Sequence, residues 1–237
     1  LWRYLRLFSQ INIGVGFLFL PGLVWQAWRV IRDRDRWGMA ALLWSAGFAA
    51  IYAVQLPVTY QHARYLLPVI PVYLLLGFTG FLDLLGRLRG VKRTGFVVKT
   101  AWVISILGVQ AAFCALGMKT YAADVAIINT EMVQTAQWIA GHLPAEERIA
   151  THDIGALGFF TPNPLVDLAG LINPEVIPFI RDEEQLLRYL QTYQIRYLVT
   201  FPGWYPELVK QSEMIYNTNS LFSPQAGGEN ISVYLLP

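Results

Sequence analysis

Residues 100–118 read TAWVISILGVQAAFCALGM, nineteen residues without a formal charge, and residues 119–148 read KTYAADVAIINTEMVQTAQWIAGHLPAEER, where charges return. A helix rises about 1.5 Å per residue, so the first segment is long enough for the roughly 30 Å of a bilayer's hydrocarbon core. The second has the composition of a soluble domain. Met118 therefore divides the chain into two physically different halves.

Working back from Met118, three further apolar stretches run approximately from Phe8 to Val30, Gly38 to Val58 and Leu66 to Leu85. Four such runs in 118 residues leave too few polar residues to coat them as buried helices of a soluble protein. The 237-residue chain is 55% hydrophobic and only 14% charged, against about 25% charged for ordinary soluble domains. Its net charge of +2 hides a division: residues 1–118 hold 12 Lys and Arg against 3 Asp and Glu, and residues 119–237 hold 6 against 13. Nucleic acid, which calls for a basic face, is not an expected partner of the acidic half. The single cysteine, Cys114, cannot form an intrachain disulfide, and His62, His142 and His152 have no metal-ligand spacing. The chain opens on Leu1 without a signal-peptide pattern and is expected to be a fragment of a longer protein.

Sidedness follows from the basic loops. Arg29, Arg32, Arg34 and Arg36 lie between the first two stretches, and Arg87, Arg89, Lys92, Arg93 and Lys99 between the third and fourth. Short Lys/Arg-rich loops stay in the cytoplasm, which puts the loop bearing Arg64 and everything after Met118 outside. Arg3 and Arg6 run against this assignment, and an upstream segment or lipid phosphate would account for them. Trp2, Tyr4, Trp25, Trp28, Trp37, Tyr60 and Tyr65 fall near the stretch ends, where amphipathic rings favour the headgroup zone. Pro21 and Pro57 are expected to kink their helices, Pro68 and Pro71 suit a helix start, and Asp83 reads as an interfacial acid facing water.

The expected architecture is a membrane α-helical region of four transmembrane helices (1–118) followed by a small extracytoplasmic α/β domain (119–237). In the latter, Ala122 to His142 has helical spacing, with Val125, Ile128, Met132, Thr135, Ala136 and Ile139 on one stripe. Strands are expected at Arg148–Thr151, Leu165–Leu168, Tyr197–Thr200, Glu213–Asn217 and Ser232–Leu236. Helices are expected at Ile154–Phe160 and Glu183–Tyr193, with a helical turn at Pro206–Gln211. Such alternation predicts two or three layers around a mainly parallel sheet.

Two strand ends carry candidate chemistry. At Thr151-His152-Asp153-Ile154-Gly155, Asp153 can cap the following helix while Gly155 allows close backbone approach, and His152 and Asp153 can instead meet a sugar or another acceptor. At Val166-Asp167-Leu168, Asp167 can hold its own turn or serve the same acceptor. The acids at 182–184 suit a helix N-terminus. Neither a phosphate loop nor a Ser-His-Asp order occurs, and Asn230-Ile231-Ser232 matches a glycosylation sequon. Between the second and third stretches, Arg64 can pair bidentately with phosphate while Tyr60 and Tyr65 seat an isoprenoid or acyl chain, or it can simply snorkel to the headgroups.

The run His62-Ala63-Arg64-Tyr65-Leu66-Leu67-Pro68-Val69-Ile70-Pro71, followed by an apolar span, a basic inner loop, one more span and an outer α/β domain, resembles the carboxyl-terminal part of bacterial membrane glycosyltransferases of the glycosyltransferase-C superfamily. It is similar to their protein mannosyltransferase and aminoarabinose transferase group, and Ile149 to Pro174 resembles the tail domain of many members. The resemblance implies a multi-pass protein of the bacterial plasma membrane that moves a sugar from a polyprenyl-phosphate carrier to an extracytoplasmic glycan, lipid or protein. The carrier-linked sugar is then a co-substrate, no other cofactor is implied, and a divalent metal stays open. Arg64, with His62 and Tyr65, would meet the lipid phosphate, and His152, Asp153 and Asp167 would lie on the acceptor side. In that family the general base belongs to a first outer loop upstream of the matching region, so the resemblance gives the base role to no residue here and implies no autonomous activity. The alternative is a non-catalytic membrane anchor presenting a sugar- or protein-binding module outside.

Overall fold

A computed structural model describes residues 16–55, 61–87 and 92–237, and the chain divides into two compact units, residues 1–118 and 119–237. The expectations for Trp2, Arg3, Tyr4, Arg6, Pro57, Tyr60 and Arg89 lie outside the described residues.

The first unit contains helices α1 (Gly16–Arg32), α2 (Arg36–Gln55) and α3 (Ile70–Arg87), with a 3-10 segment (Gln61–Val69) leading into α3. Helix α4 (Lys92–Ile127) follows, and the unit boundary falls inside it. Among the described residues three helical runs, 36–55, 64–87 and 93–142, are long and apolar enough to cross a membrane. The four-helix expectation is met only in this coarser form: α1 has 17 described residues, and 8–15 lie outside the description. Pro21 is accommodated inside α1. Pro71 occupies the first turn of α3, where no intrahelical N–H bond is lost.

Helices α1 and α3 meet through glycines. A Cβ at Gly22 would collide with the Gly77 carbonyl oxygen, one at Gly80 with the Gly22 carbonyl oxygen, and one at Gly77 would stand 2.8 Å from Phe19 Cβ. Without a hydrophobic drive between apolar helices in lipid, such close approach supplies the dispersion contact that holds a pair together. Phe19 and Tyr73 are buried beside this seam, and Trp102 of α4 stacks on Phe81 at 3.9 Å. Asp83 does not simply face water: its carboxylate accepts from Trp25 Nε1 at 3.2 Å and pairs with Arg29, both on α1.

In the second unit, no Gly or Pro interrupts residues 118–140, and the helix that begins as α4 continues through a π-helical turn (Ile128–Val133) into α5 (Gln134–His142). The expected stripe is shifted. Val125 and Ile128 are 37% and 49% exposed, and the buried face starts at Glu131 and continues through Thr135, Ala136 and Ile139. Beyond α5 come β1 (Ile149–Thr151), α6 (Gly155–Phe160), β2 (Leu165–Asp167), α7 (Glu183–Thr192), β3 (Tyr197–Thr200), α8 (Pro206–Lys210), β4 (Glu213–Asn217), α9 (Phe222–Gln225) and β5 (Ser232–Leu235). Short 3-10 turns occupy Pro174–Phe179 and Pro202–Trp204.

The sheet order is β2-β1-β3-β5-β4. Strand β1 pairs in parallel with β2 and β3, whereas β5 is antiparallel to both β3 and β4. The expectation of a mainly parallel sheet is therefore corrected to a mixed one. Helical crossovers bring β2 and β3 back in the direction of β1, whereas residues 218–231 hold only the single turn of α9, so β5 returns against β4 as a hairpin partner. Alternation along the strands sends Ile149, Val199 and Val233 to a core with Ala136, Ile139 and Leu157. The opposite set, Ala150, Leu198 and Tyr234, joins Leu186, Leu190 and Leu208. Helices thus cover both faces, the three-layer form of the two expected.

Because the α1–α3 seam has no room for a side chain, Gly80→Val is expected to destabilise the first unit by about 1–3 kcal/mol through overpacking. A lowered thermal midpoint in detergent, with Gly86→Val as the open-space control, is the measurement; equal midpoints would contradict the seam.

Candidate functional site

The segment Gln61–Val69 presents Arg64 at the start of the apolar run 64–87. Arg64 is exposed, its Nη2 lies 3.3 Å from the Tyr65 hydroxyl, and its guanidinium carbon stands 5.2 Å from the Tyr65 ring centre. Tyr65 in turn stacks on Tyr52 of α2 at 5.4 Å. Arg64 and Tyr65 are therefore brought together, with Tyr52 as a platform that sequence reading did not single out. His62 lies in the same backbone segment, and its side chain falls outside the described residues. Among the described residues Arg64 forms no ion pair, so its charge is available to an anion from solvent or lipid.

The second group lies where β1, β2 and β3 end, the edge at which α/β sheets usually meet ligands. His152 directly follows β1, Asp167 ends β2, and Trp204 and Tyr205 follow β3. The His152 ring is half-buried, its Nδ1 is 2.8 Å from the Tyr205 hydroxyl, and Trp204 meets it edge-on at 4.7 Å. Burial pushes the His152 imidazole below its ordinary pKa, against the opposing pull of the Asp167 and Asp153 charges. Burial, with the same Asp167 charge and that of Glu183, pushes the Tyr205 phenol up to about 12. A phenol that stays protonated can donate to Nδ1 of a neutral imidazole, which places the imidazole proton on Nε2.

The two aspartates differ. Asp167 is fully buried and accepts from the backbone N–H groups of Ala169 at 2.7 Å, Leu171 at 2.5 Å and Ile172 at 2.9 Å. The Asp167 N–H donates to Asn173 Oδ1 at 2.9 Å, and Gly170, at φ +80°, completes the turn in the left-handed region. Asp167 is thus engaged by its own turn, one of the two roles its position allows. Asp153 accepts a 3.3 Å bond from the Gly155 N–H and leaves its second oxygen outside that contact. It does not occupy the cap position, which is held by Ile154 without a side-chain bond. A Cβ at Gly155 would make only ordinary contact with Asp153 Oδ1 at 3.5 Å.

Tyr205 and Trp204, which pack on His152, are not singled out by strand and helix patterns. Their signal was the aromatic cluster Phe201-Pro202-Gly203-Trp204-Tyr205 at the end of a parallel strand. Glu183 accepts the Glu207 and Leu208 N–H groups at 2.8 Å each and so fixes the start of α8 behind Tyr205. The sequon is engaged otherwise: Asn230 Nδ2 donates to Glu131 Oε1 and to the Ser220 carbonyl, both at 2.9 Å. Among the described residues no three His, Cys, Asp or Glu side chains group as a metal site.

Asp167→Ala strips an acceptor from three amides and is expected to cost about 2–4 kcal/mol. Hydrogen exchange should accelerate at Leu171 and Ile172, and unchanged protection would contradict the turn's dependence on this carboxylate. For His152, the folded pKa lies below the unfolded value of about 6.5, so the neutral form is favoured on folding. Its contribution is complete above that pH and is lost as pH falls through the folded value. An NMR titration of the intact chain should place the imidazole below 6.5, and His152→Gln should flatten the acid side of the stability profile. A midpoint at or above 6.5 would count against it.

Residues 120–234, almost all of the second unit, match the family model described as Domain of unknown function (DUF8728). No curated protein and no solved structure matches the chain.

Proposed function

We propose that this chain is the carboxyl-terminal part of an integral membrane glycosyltransferase that takes its sugar from a polyprenyl-phosphate carrier. The observation that carries the reading is Arg64: an exposed guanidinium without an ion-pair partner among the described residues, steadied by Tyr65 and placed where an apolar run of 24 residues begins. A long apolar carrier ending in phosphate needs that juxtaposition of lipid-facing helix and bidentate cation. In the reaction, an acceptor oxygen bonds to the sugar's anomeric carbon as the bond from that carbon to the phosphate oxygen breaks. The acceptor proton passes to a base supplied from outside this chain. Arg64 neutralises the charge that grows on the departing phosphate, and this differential stabilisation lowers the barrier.

In this reading four helices cross a bacterial plasma membrane, with residues 119–237 outside. His152, Tyr205, Trp204 and Asp153 then form the acceptor side, an imidazole edge and an exposed indole suited to a hydroxyl-bearing ring. A binding module without catalysis would use the same surface and would not need Arg64.

Replacing Arg64 with Ala in the full-length protein is expected to lower glycosyl transfer by about 10²–10³-fold, with membrane insertion intact. Arg64→Lys, which keeps the charge but not the planar fork, should recover part of the loss. Transfer at the unmodified rate in Arg64→Ala would reduce the residue to a headgroup anchor.

A further inference from the structure

Helices α1 and α3 end together on two arginines, Arg32 and Arg87, and the chemistry at that end is asymmetric. Asp83, the one acid in the run 64–87, is engaged by Arg29 and by Trp25 Nε1. Arg32 donates through Nε to Asp33 at 2.7 Å. Arg87 has a different support: its guanidinium carbon stands 4.5 Å from the Trp25 ring centre, and among the described residues it forms no ion pair. Arg32 repeats the arrangement over Trp28 at 4.4 Å, and the two indoles lie 4.9 Å apart. A guanidinium lying over an indole keeps its in-plane N–H donors for an anion, and the ring contact spares part of the entropy cost of holding the fork in place.

The surroundings select the anion. Arg29, Arg32, Arg34, Arg36 and Arg87 stand against Asp33, Asp35 and Asp83, a surplus of two positive charges at this end. Val24, Trp28 and Ile31, spaced four and three apart on α1, are all exposed and run toward it. Apolar helix surface ending in a cationic, indole-backed platform matches an acyl chain and a phosphate diester in one molecule, whereas a free phosphate would use only the cations. We propose that this end of the α1–α3 pair is a binding site for an anionic phospholipid, with the headgroup phosphate on Arg87 and an acyl chain along Val24, Trp28 and Ile31. The site is separate from Arg64 and does not depend on the glycosyltransferase reading.

The test uses the full chain, delipidated in a nonionic detergent and titrated with phosphatidylglycerol, phosphatidylcholine or inorganic phosphate, with retained lipid read by native mass spectrometry. Phosphatidylglycerol is expected to be retained at least about tenfold over phosphatidylcholine, and millimolar inorganic phosphate should not displace it. Arg87→Gln should bring retention down to the phosphatidylcholine level, and Arg87→Lys should be intermediate. Should Arg87→Gln fail to fold, Trp25→Leu, which keeps every charge, is expected to lower retention in the same direction. Equal retention of the two lipids, displacement by inorganic phosphate, or full retention in Arg87→Gln would each overturn the site.

Discussion

Glu131 is completely buried, and the second unit is organised around the need to satisfy it. One carboxylate oxygen accepts from Thr218 Oγ1 at 2.5 Å and from the Ile231 N–H at 2.8 Å, and the other from Asn230 Nδ2 at 2.9 Å. A buried charge without donors would cost several kcal/mol. Three donors from one loop therefore tie the π-helical turn to the chain that enters β5. The widened turn has a use here: it shifts the helix face so that Glu131 and then Thr135, Ala136 and Ile139 point inward, while Val125 and Ile128 stay exposed. Ser220 adds a bond from its hydroxyl to Thr130 at 2.9 Å on the same turn.

That tie also bears on the sheet. Strand β5 lies between β3 and β4, antiparallel to both, and enters this interior position from the connection 218–231. The bonds from Ile231 and Asn230 to Glu131 fix the start of β5 one residue before Ser232, and Asn217 Nδ2 reaches the Ser232 hydroxyl at 2.7 Å from the facing strand. A slip of one residue would send Val233 and Tyr234 to the wrong cores, because their faces alternate.

All five strands and the helices at 155–160 and 183–192 were legible from short apolar runs, turn residues and helical spacing. The direction of β5 was not, because period and propensity say where a strand lies and not which way its neighbour runs. The long apolar helices were legible because a helix able to cross lipid needs an uninterrupted apolar stretch, a constraint written directly into composition. The glycine seam at Gly22, Gly77 and Gly80 was hidden, since scattered glycines acquire meaning only when two helices bring them together. At the candidate site, His152 and Asp153 were visible as polar residues at a strand end. Tyr205, 53 positions away, joins them only through the parallel pairing of β1 with β3.

Three acids, Asp83, Glu131 and Asp167, follow one rule. Asp83 is met by an arginine and an indole N–H, Glu131 by three donors, and Asp167 by three amides. Each is satisfied by groups of this chain, and each therefore explains structure without calling for a ligand. Asp153 breaks the rule. It is only half-buried, has a single 3.3 Å side-chain bond, and stands beside an imidazole whose neutral form burial favours and which Tyr205 contacts. Among these four acids local satisfaction is least complete at Asp153, at the carboxyl end of β1, the edge at which α/β sheets usually meet ligands.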